Sequence, residues 1–329
     1  MNAPFILAWE LTRSCNLNCL HCRASATGDT PPGELSTKQG FTLLEDASRS
    51  GTKMIILTGG EPLLRDDVFD IAGFGTSLGL RMTMAVNGSL ITPDIALQMK
   101  ESKIARVSIS LDGVTENIHD SFRGMKGAFS MAMRGISILE EYDVPFQINT
   151  TIAAMNVFQA DSFPAFINSL GAVAWHVFFL VPTGRGESLK PASIKEYKDM
   201  LDTFYEVYKK SEIECKATCA PQFYRLLAEK GEEVKTKGCL AGTGFGFVSS
   251  TGDVQPCGFL QIPCGNIKDI PLSEIWSGSP TLTRLRDIAS LKGKCQTCSY
   301  NNICGGCRAR AHEVLNDFLA VDPICWYKS

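Results

Sequence analysis

Short hydrophobic runs alternate with amphipathic stretches along the first 190 residues of the chain. Six runs have the length and composition of buried strands, at residues 6–11, 54–58, 81–86, 106–111, 145–151 and 174–180. Five stretches have the apolar spacing of helices, at residues 37–50, 68–78, 93–102, 131–142 and 157–170. This alternation predicts parallel βαβ units, and therefore an α/β fold with either an open sheet or a partial barrel.

The pattern changes after about residue 190. A helical stretch at 193–210 leads into sequence rich in cysteine and glycine, in which residues 245–250 and 253–259 predict a small hairpin. Such a segment cannot bury much core by itself, and bound metal clusters would stabilise it. We therefore expect a core at 1–190, a helical linker at 191–238 and a small Cys-rich extension at 239–329.

Polar motifs follow most of the predicted strands, at the end where parallel βα folds bind their ligands. Three cysteines follow the first strand, and the later motifs are Gly59-Gly60-Glu61-Pro62, Asn87-Gly88, Asp112-Gly113 and Pro182-Thr183-Gly184. A carboxylate between glycine and proline at a strand end is well placed to bind a cation, which singles out Glu61. The alternatives are a tight βα turn at Gly59-Gly60, an ordinary turn at Asn87-Gly88 and a helix cap at Asp112.

The charge of the chain bears on its partners. The net charge is −3, so no overall basic field favours binding to nucleic acid or to an anionic membrane. No basic segment precedes the first apolar residues, which argues against a secretory signal. The longest stretch without a charged residue, 162–184, contains Asn168, Gly171 and Pro182 and predicts a helix end and a buried strand rather than a membrane span. We expect a cytoplasmic protein that binds neither nucleic acid nor membrane.

The 13 cysteines fall into two groups. Residues 23–214 contain none, and the other ten cysteines lie between residues 215 and 325. For a long chain without an export signal, metal or redox chemistry explains such a number better than disulfides do. The first group is Cys15, Cys19 and Cys22, and the second comprises Cys215, Cys219, Cys239, Cys257, Cys264, Cys295, Cys298, Cys304, Cys307 and Cys325. Two separate metal regions are the simplest interpretation.

The first group supplies three thiolates within eight residues, a donor set that suits zinc or an iron–sulfur cluster. A closed zinc site needs a fourth ligand, and His21 is too close in sequence to complete it easily. A zinc knuckle completed by a distant residue remains the alternative. Three cysteines around a four-iron cluster would leave one iron open for a substrate or cofactor.

The spacing Cys15-x3-Cys19-x2-Cys22 after one strand, with Gly59-Gly60-Glu61-Pro62 after the next, resembles the radical S-adenosylmethionine (SAM) enzymes. The resemblance runs from about Ile6 to Arg185. It implies a partial (β/α)6 TIM-like barrel and a 4Fe–4S cluster on the three cysteines that cleaves SAM to a 5′-deoxyadenosyl radical. The SAM contacts that it implies are His21 near the adenine, Gly59, Gly60 and Glu61 at the ammonium, Ser110 and Asp112 at the ribose, Arg123 at the carboxylate, and Asn87 nearby.

The second group resembles the SPASM extension, which carries auxiliary iron–sulfur clusters. By this resemblance, Cys239, Cys257 and Cys307 serve one cluster, and Cys295, Cys298, Cys304 and Cys325 serve another. One departure is two residues rather than three before Cys307. Only Cys219 or Cys215 could add an upstream ligand, so one or two auxiliary 4Fe–4S clusters are implied. The alternative is a rubredoxin-like zinc site on Cys295, Cys298, Cys304 and Cys307; Cys264 fits neither set and is either a buried hydrophobe or a free thiol.

Several longer stretches resemble the heme-synthase branch of the SPASM enzymes, at residues 8–15, 145–151, 175–186, 238–244 and 304–310. The resemblance implies oxidative decarboxylation of two propionates of iron-coproporphyrin III to vinyl groups, giving heme b, with a reductant such as flavodoxin or ferredoxin. A substrate with four propionates requires cations, for which we single out Arg23, Arg185, Arg308 and Arg310. The alternatives are a SPASM maturase that forms thioethers or epimerises a ribosomal peptide, an enzyme of the heme d1 pathway, and a non-catalytic iron–sulfur electron carrier or binding module.

Overall fold

The computed structural model describes residues 3–234 and 236–327. The strands are β1 (Ile6–Glu10), β2 (Met54–Thr58), β3 (Arg81–Val86), β4 (Val107–Ser110), β5 (Phe146–Ile152), β6 (Ala174–Phe179), β7 (Glu214–Thr218), β8 (Phe245–Val248), β9 (Asp253–Gln255) and β10 (Gly265–Asn266). The α-helices are α1 (Thr37–Ser50), α2 (Val68–Ser77), α3 (Pro93–Glu101), α4 (Glu116–Arg123), α5 (Ala128–Glu141), α6 (Phe163–Asn168), α7 (Ile194–Lys210), α8 (Gln222–Glu229), α9 (Leu272–Gly278), α10 (Pro280–Arg286), α11 (Lys294–Thr297) and α12 (Arg308–Leu315).

All ten strands belong to one sheet, in the order β10-β9-β8-β1-β2-β3-β4-β5-β6-β7. Each strand from β1 to β7 is parallel to the next, which is the arrangement of successive βα units. Neither end strand, β10 or β7, pairs with the other in the described part of the chain, so the sheet is open there. The α/β prediction of six strand–helix units with a small Cys-rich extension is confirmed.

The extension joins the sheet directly. Strand β8 pairs in parallel with β1, and β9 and β10 follow it in antiparallel order. The predicted hairpin is therefore present, although its strands are shorter than expected because only 245–248 and 253–255 pair. This arrangement places the Cys-rich segment beside the strand that leads into the first cysteine group.

Two details differ from the sequence predictions. The segment expected to be a helical linker contains β7, which pairs with β6 and extends the sheet by one strand. The stretch 157–170 is not one helix but a single turn at Val157–Gln159 followed by α6. Pro164 explains this break, because it has no N–H to donate and is favoured at the first turn of a helix.

The two faces of the sheet differ in character. The ring of Trp9 lies against Gly40 of α1, which identifies the face covered by helices. Leu57, Ile148 and Val177 belong to the same buried apolar core. Because side chains alternate along a strand, the opposite face, which we call the inner face, carries the neighbouring residues. That face is largely polar and half-exposed, so it offers room for a ligand rather than a packed core. Within the described residues, no helix combines the length and apolar character needed to cross a membrane.

Candidate functional site

The first cysteine group lies on a loop that follows β1 and is held against the end of β2. The amide of Gly60 donates to the carbonyl of Thr12 at 2.7 Å, and the amide of Glu61 donates to the carbonyl of Ser14 at 2.8 Å. A Cβ atom on Gly60 would lie 2.2 Å from the Ser14 oxygen, and one on Gly59 would lie 2.4 Å from the Thr12 oxygen. The glycine pair is therefore required for the close approach of the two backbones that positions the cysteine loop.

The three thiols on this loop have donors that stabilise their charged form. The amide of Leu17 lies 3.4 Å from Cys15 Sγ, and the amide of Ala26 lies 3.4 Å from Cys22 Sγ. Burial nevertheless raises the pKa of Cys15 to about 11. A thiolate in this setting needs a further positive partner, and metal coordination is the usual one. The donor set fits a cluster held by three cysteines.

Asp112 links the cysteine loop to the end of β4. Its carboxylate is buried and lies 2.5 Å from Arg123 Nη2 and 3.5 Å from His21 Nε2, and it accepts a 2.7 Å hydrogen bond from the amide of Thr151. Arg123 Nη1 also lies 3.8 Å from Cys19 Sγ, so one guanidinium bridges the carboxylate and a thiol. Both side chains are already used within the protein, and their predicted contacts with the ribose and the carboxylate of SAM stay predictions.

His21 provides an unsatisfied polar atom at this site. Burial, together with the charge of Arg123, holds the pKa of His21 well below its usual range, so the imidazole is neutral at physiological pH. Its ring packs edge-on against Phe122 at 4.5 Å between centroids. His21 Nδ1 is buried without a hydrogen-bond partner in the described structure. Such an atom is free to bind a ligand group, and the place of His21 near an adenine stays a prediction.

Glu61 is a fully buried carboxylate. Its Oε2 accepts a hydrogen bond from the amide of Asn87 at 2.8 Å, and its Oε1 accepts one from the amide of Leu63 at 3.2 Å. Burial raises the pKa of Glu61 to about 7. Among the described residues no cation forms an ion pair with it, so a bound ammonium group would supply the missing charge. The amides of Gly60 and Glu61 are occupied by the cysteine loop, so any ammonium contact from Gly59 or Gly60 would use their carbonyl oxygens.

Asn87 belongs to a ring of three polar side chains. Asn87 Nδ2 donates to Asn16 Oδ1 at 2.9 Å, Asn16 Nδ2 donates to Ser89 Oγ at 2.8 Å, and Ser89 Oγ donates to Asn87 Oδ1 at 2.6 Å. The ring ties the end of β3 to the cysteine loop. Ser110, at the end of β4, is half-exposed on the inner face. Their predicted contacts with SAM are compatible with these positions and stay predictions.

Four cysteines of the second group lie together at the end of β7. A hydrogen bond between Cys219 and Cys307 lowers the pKa of Cys307 and raises that of Cys219. Burial raises the pKa of Cys257 to about 12, with smaller contributions from the nearby Cys239 and Cys307. Cys219 also has a left-handed backbone with φ of 56°, a strain that the surrounding structure must maintain. These contacts bring Cys219 together with the three cysteines assigned by resemblance to one cluster.

The other two cysteines of uncertain role lie apart from this set. Cys215 lies on the helix-covered face of β7 and packs against the main apolar core. Cys264 packs against apolar residues and its thiol lies 3.5 Å from the carbonyl of Ile262. Of the two upstream candidates, the structure therefore places only Cys219 with the first auxiliary set.

The remaining four cysteines, Cys295, Cys298, Cys304 and Cys325, line a single small cavity. The amide of Tyr300 lies 3.4 Å from Cys298 Sγ, and Arg225 Nη1 lies 3.9 Å from Cys325 Sγ. Burial raises the pKa of Cys304 to about 12. This grouping matches the set implied by the SPASM resemblance rather than the rubredoxin-like alternative, because Cys307 contacts Cys219 instead.

Two of the four arginines expected to bind a substrate contact the cysteine loop or its surroundings. Arg23 Nη2 lies 3.1 Å from Glu10 Oε1, and its guanidinium stacks over Phe247 at 4.4 Å. Arg185 donates from Nε to the carbonyl of Cys19 at 2.8 Å and from Nη1 to the carbonyl of Ala26 at 2.6 Å. Both groups already have protein acceptors, which stabilise the loop.

The other two arginines are buried. Arg308 Nη1 donates to the carbonyls of Phe318 and Ala320 at 3.0 and 2.8 Å. Arg310 pairs with Asp322 at 3.1 Å and donates to the carbonyl of Cys219 at 2.8 Å. These placements do not support the expectation that Arg308 and Arg310 face an open substrate cavity. Both arginines are close to Cys307 in sequence and stabilise the auxiliary region.

One cation on the inner face was not singled out from the sequence. Lys216 lies on β7, directly beside His176 of β6. The sequence of Glu214–Thr218 alternates between polar residues and the core-facing residues Cys215 and Ala217, which is the pattern of a strand. The segment is only five residues long and its other face is charged, so the sequence alone did not predict a strand there.

Comparison with known proteins identifies two regions that match known families. Residues 9–170 match the Radical SAM superfamily, and residues 239–308 match the SPASM iron–sulfur cluster-binding domain. The chain is 46% identical, over 99% of its length and 97% of the relative's, to an AdoMet-dependent heme synthase of Methanosarcina barkeri. It is 31% identical to the mycofactocin maturase MftC of Mycobacterium ulcerans, over 99% of this chain and 88% of the relative.

A solved structure agrees in fold. The crystal structure of Streptococcus suis SuiB bound to S-adenosylmethionine superposes with a TM-score of 0.80, at 18% identity, over 99% of this chain and 78% of that one. The two matched regions of this chain contain the cysteine loop and six of the eight auxiliary cysteines described above, whereas Cys219 and Cys325 lie outside them. The chain is therefore an enzyme of the radical SAM superfamily with a C-terminal SPASM domain, and its cofactors are SAM and 4Fe–4S clusters.

Proposed function

We propose that the enzyme converts iron-coproporphyrin III into heme b by oxidatively decarboxylating two of its propionates. The observation that carries the proposal is the 46% identity, along nearly the whole of both chains, to a protein named a heme synthase. The mycofactocin maturase compared above is 31% identical over a similar length. Oxidative decarboxylation also suits this chain, because the chain has two separate thiol-rich regions.

The electron balance explains why both regions are needed. Each propionate loses one hydrogen atom from the carbon next to the ring, then carbon dioxide and one electron, and becomes a vinyl group. When bound, a 4Fe–4S cluster with SAM supplies the 5′-deoxyadenosyl radical that takes the hydrogen atom. The electron left over requires an acceptor, and an auxiliary iron–sulfur cluster belongs to a suitable class. Two rounds would consume two SAM and pass through a monovinyl intermediate.

We assign the thiols to three clusters. Cys15, Cys19 and Cys22 would hold the SAM-binding cluster and leave one iron open. The first auxiliary cluster would be held by Cys219, Cys239, Cys257 and Cys307, and the second by Cys295, Cys298, Cys304 and Cys325. Each auxiliary set contains four thiols, so neither cluster needs a substrate as a ligand. This complete ligation favours a role in electron transfer.

The remaining residues near the cysteine loop would bind and orient SAM. Glu61 would accept hydrogen bonds from the ammonium group, and His21 would offer Nδ1 to the adenine. Arg123 and Asp112 would keep the loop and the end of β4 in register, with Ser110 and Asn87 at the edge of the same site. The enzyme would take its electrons from a small reductant such as flavodoxin or ferredoxin.

Replacement of Glu61 by glutamine tests the ammonium site. Glu61→Gln should weaken SAM binding by about tenfold or more, because an amide loses the charge-assisted hydrogen bond. The wild-type carboxyl, with a pKa of about 7, is largely ionised at pH 8 and largely protonated at pH 6. The difference between wild type and variant should therefore be larger at pH 8, as measured by calorimetry. If wild type and Glu61→Gln bind SAM with equal affinity at both pH values, Glu61 has only a structural role.

Cysteine replacements on and beside β7 test the auxiliary assignment. Cys219→Ser should alter the electron paramagnetic resonance signal of one auxiliary cluster, because it removes a proposed ligand. Cys215→Ser serves as the matched control, since this thiol lies on the helix-covered face, and should leave the cluster signals and iron content unchanged. The opposite pattern, with Cys215 required and Cys219 dispensable, would contradict the assignment.

Turnover tests the proposed reaction. The reconstituted enzyme, incubated anaerobically with SAM, a reductant, an electron acceptor and iron-coproporphyrin III, should give heme through a monovinyl product seen by mass spectrometry. Each decarboxylation should be accompanied by one 5′-deoxyadenosine. If the porphyrin keeps all four carboxylates while a peptide encoded beside the enzyme gene is modified, the maturase alternative replaces the proposal.

A further inference from the structure

A row of polar side chains crosses the inner face between the two cysteine regions. The strand register pairs Ser110 with Asn149, Asn149 with His176, and His176 with Lys216. These four residues, which we call the inner row, come from β4, β5, β6 and β7 and are all half-exposed. Neighbouring side chains at the same level of parallel strands lie close enough to contact one ligand.

The inner row lies between the sites assigned to the two kinds of cluster. Asp112, which contacts Arg123 and His21 beside the cysteine loop, is two residues beyond Ser110. Cys219, in the first auxiliary set, is three residues beyond Lys216. At about 3.3 Å per residue of extended chain, these steps span at most roughly 7 and 10 Å. A substrate that exchanges a hydrogen atom at one end and an electron at the other fits this position.

Most of the cations near the inner face already have a carboxylate. Arg23 pairs with Glu10 at 3.1 Å, and Arg123 pairs with Asp112. Arg106 pairs with Glu214 at 2.9 Å. These guanidinium groups are therefore occupied before any substrate binds.

His176 is also fully engaged. Its Nε2 lies 3.2 Å from Glu214 Oε1, and its Nδ1 lies 3.0 Å from Gln147 Nε2. Because the amide nitrogen of Gln147 can only donate, Nδ1 accepts and Nε2–H donates to the carboxylate. Neither ring nitrogen is left for a ligand in this arrangement.

Lys216 differs from its neighbours. Within the residues that the structure describes, its ammonium group forms no hydrogen bond and no ion pair, although Glu214 is near enough to affect it electrostatically. Burial lowers the pKa of Lys216. A cation that has lost part of its hydration without gaining a carboxylate is unfavourable in the free enzyme, and an anionic ligand would offset that cost. The residue is mostly buried but remains partly exposed, so such a ligand can reach it.

We propose that Lys216 binds a propionate carboxylate of the tetrapyrrole and that Asn149 and Ser110 offer neutral hydrogen-bonding groups along the same row. This assignment rests on the proposed function for the identity of the substrate, and on the geometry of the inner row for the carboxylate. A carboxylate held at Lys216 would orient the macrocycle between the cysteine loop and the first auxiliary set.

A charge-specific binding cycle tests the assignment. The reconstituted holoenzyme, as wild type, Lys216→Met and Lys216→Arg, is titrated anaerobically with iron-coproporphyrin III and with its tetramethyl ester, and binding is followed by porphyrin absorbance. Lys216→Met should weaken binding of the tetra-acid by roughly 10- to 100-fold and change that of the ester by less than about twofold. Lys216→Arg should retain most of the affinity for the tetra-acid.

Two controls separate binding from folding. Lys195→Met removes the same charge from an exposed site on α7, where the side chain is 86% exposed, and should bind both porphyrins as the wild type does. Iron and sulfide contents should be equal in all variants. If Lys216→Met weakens the acid and the ester equally, Lys216 has a structural role and the assignment is overturned.

The same assays distinguish the two proposals. Unchanged tetra-acid affinity in Lys216→Met, in an enzyme that forms heme, overturns the role of Lys216 alone. Suppose that Lys216→Met loses affinity for the tetra-acid but not for the ester, and that the wild type never decarboxylates the porphyrin. This result supports carboxylate binding at Lys216 and overturns the proposed reaction. A wild type that binds the acid no better than the ester overturns the assignment of Lys216.

Discussion

The close approach of two backbones at Gly59 and Gly60 is the constraint on which the site depends. The amides of Gly60 and Glu61 bind the carbonyls of Thr12 and Ser14 at 2.7 and 2.8 Å, and any side chain at either glycine would collide with those carbonyls. The cysteine loop is thereby held against the end of β2, and the same turn delivers Glu61 beside it. One local geometry therefore positions both the thiols proposed to hold a cluster and the carboxylate proposed to bind SAM.

Buried charge organises the rest of the site. Asp112 and Arg123 connect the cysteine loop to β4, while Arg310 and Asp322 connect the auxiliary region to the end of β7. These pairs fix the two thiol-rich regions at the carboxyl ends of the parallel strands. Between them the inner face remains polar and half-exposed, because its side chains are not needed for core packing. The two ion pairs thus lie at the ends of the strands, apart from the inner face that is available to a substrate.

Structural features that depend on local sequence pattern could be predicted from the sequence, whereas features that depend on contacts between distant residues could not. Six strands and the small hairpin follow from apolar periodicity, whereas β7 escaped notice because its inner face carries Glu214 and Lys216. Neighbourhood in sequence could not reveal that Arg308 donates to carbonyls or that Arg310 pairs with Asp322, since those acceptors come from distant loops. For the same reason, only the folded chain distinguishes Cys219 from Cys215.

In the proposed reaction, the enzyme removes hydrogen from the propionate carbon next to the porphyrin ring. The most direct measurement uses iron-coproporphyrin III carrying deuterium at that carbon of its propionates, with mass analysis of both products after anaerobic turnover. The proposed reaction predicts one deuterium in each 5′-deoxyadenosine and one fewer deuterium in each vinyl-bearing side chain. Unlabelled 5′-deoxyadenosine alongside a decarboxylated porphyrin would contradict it.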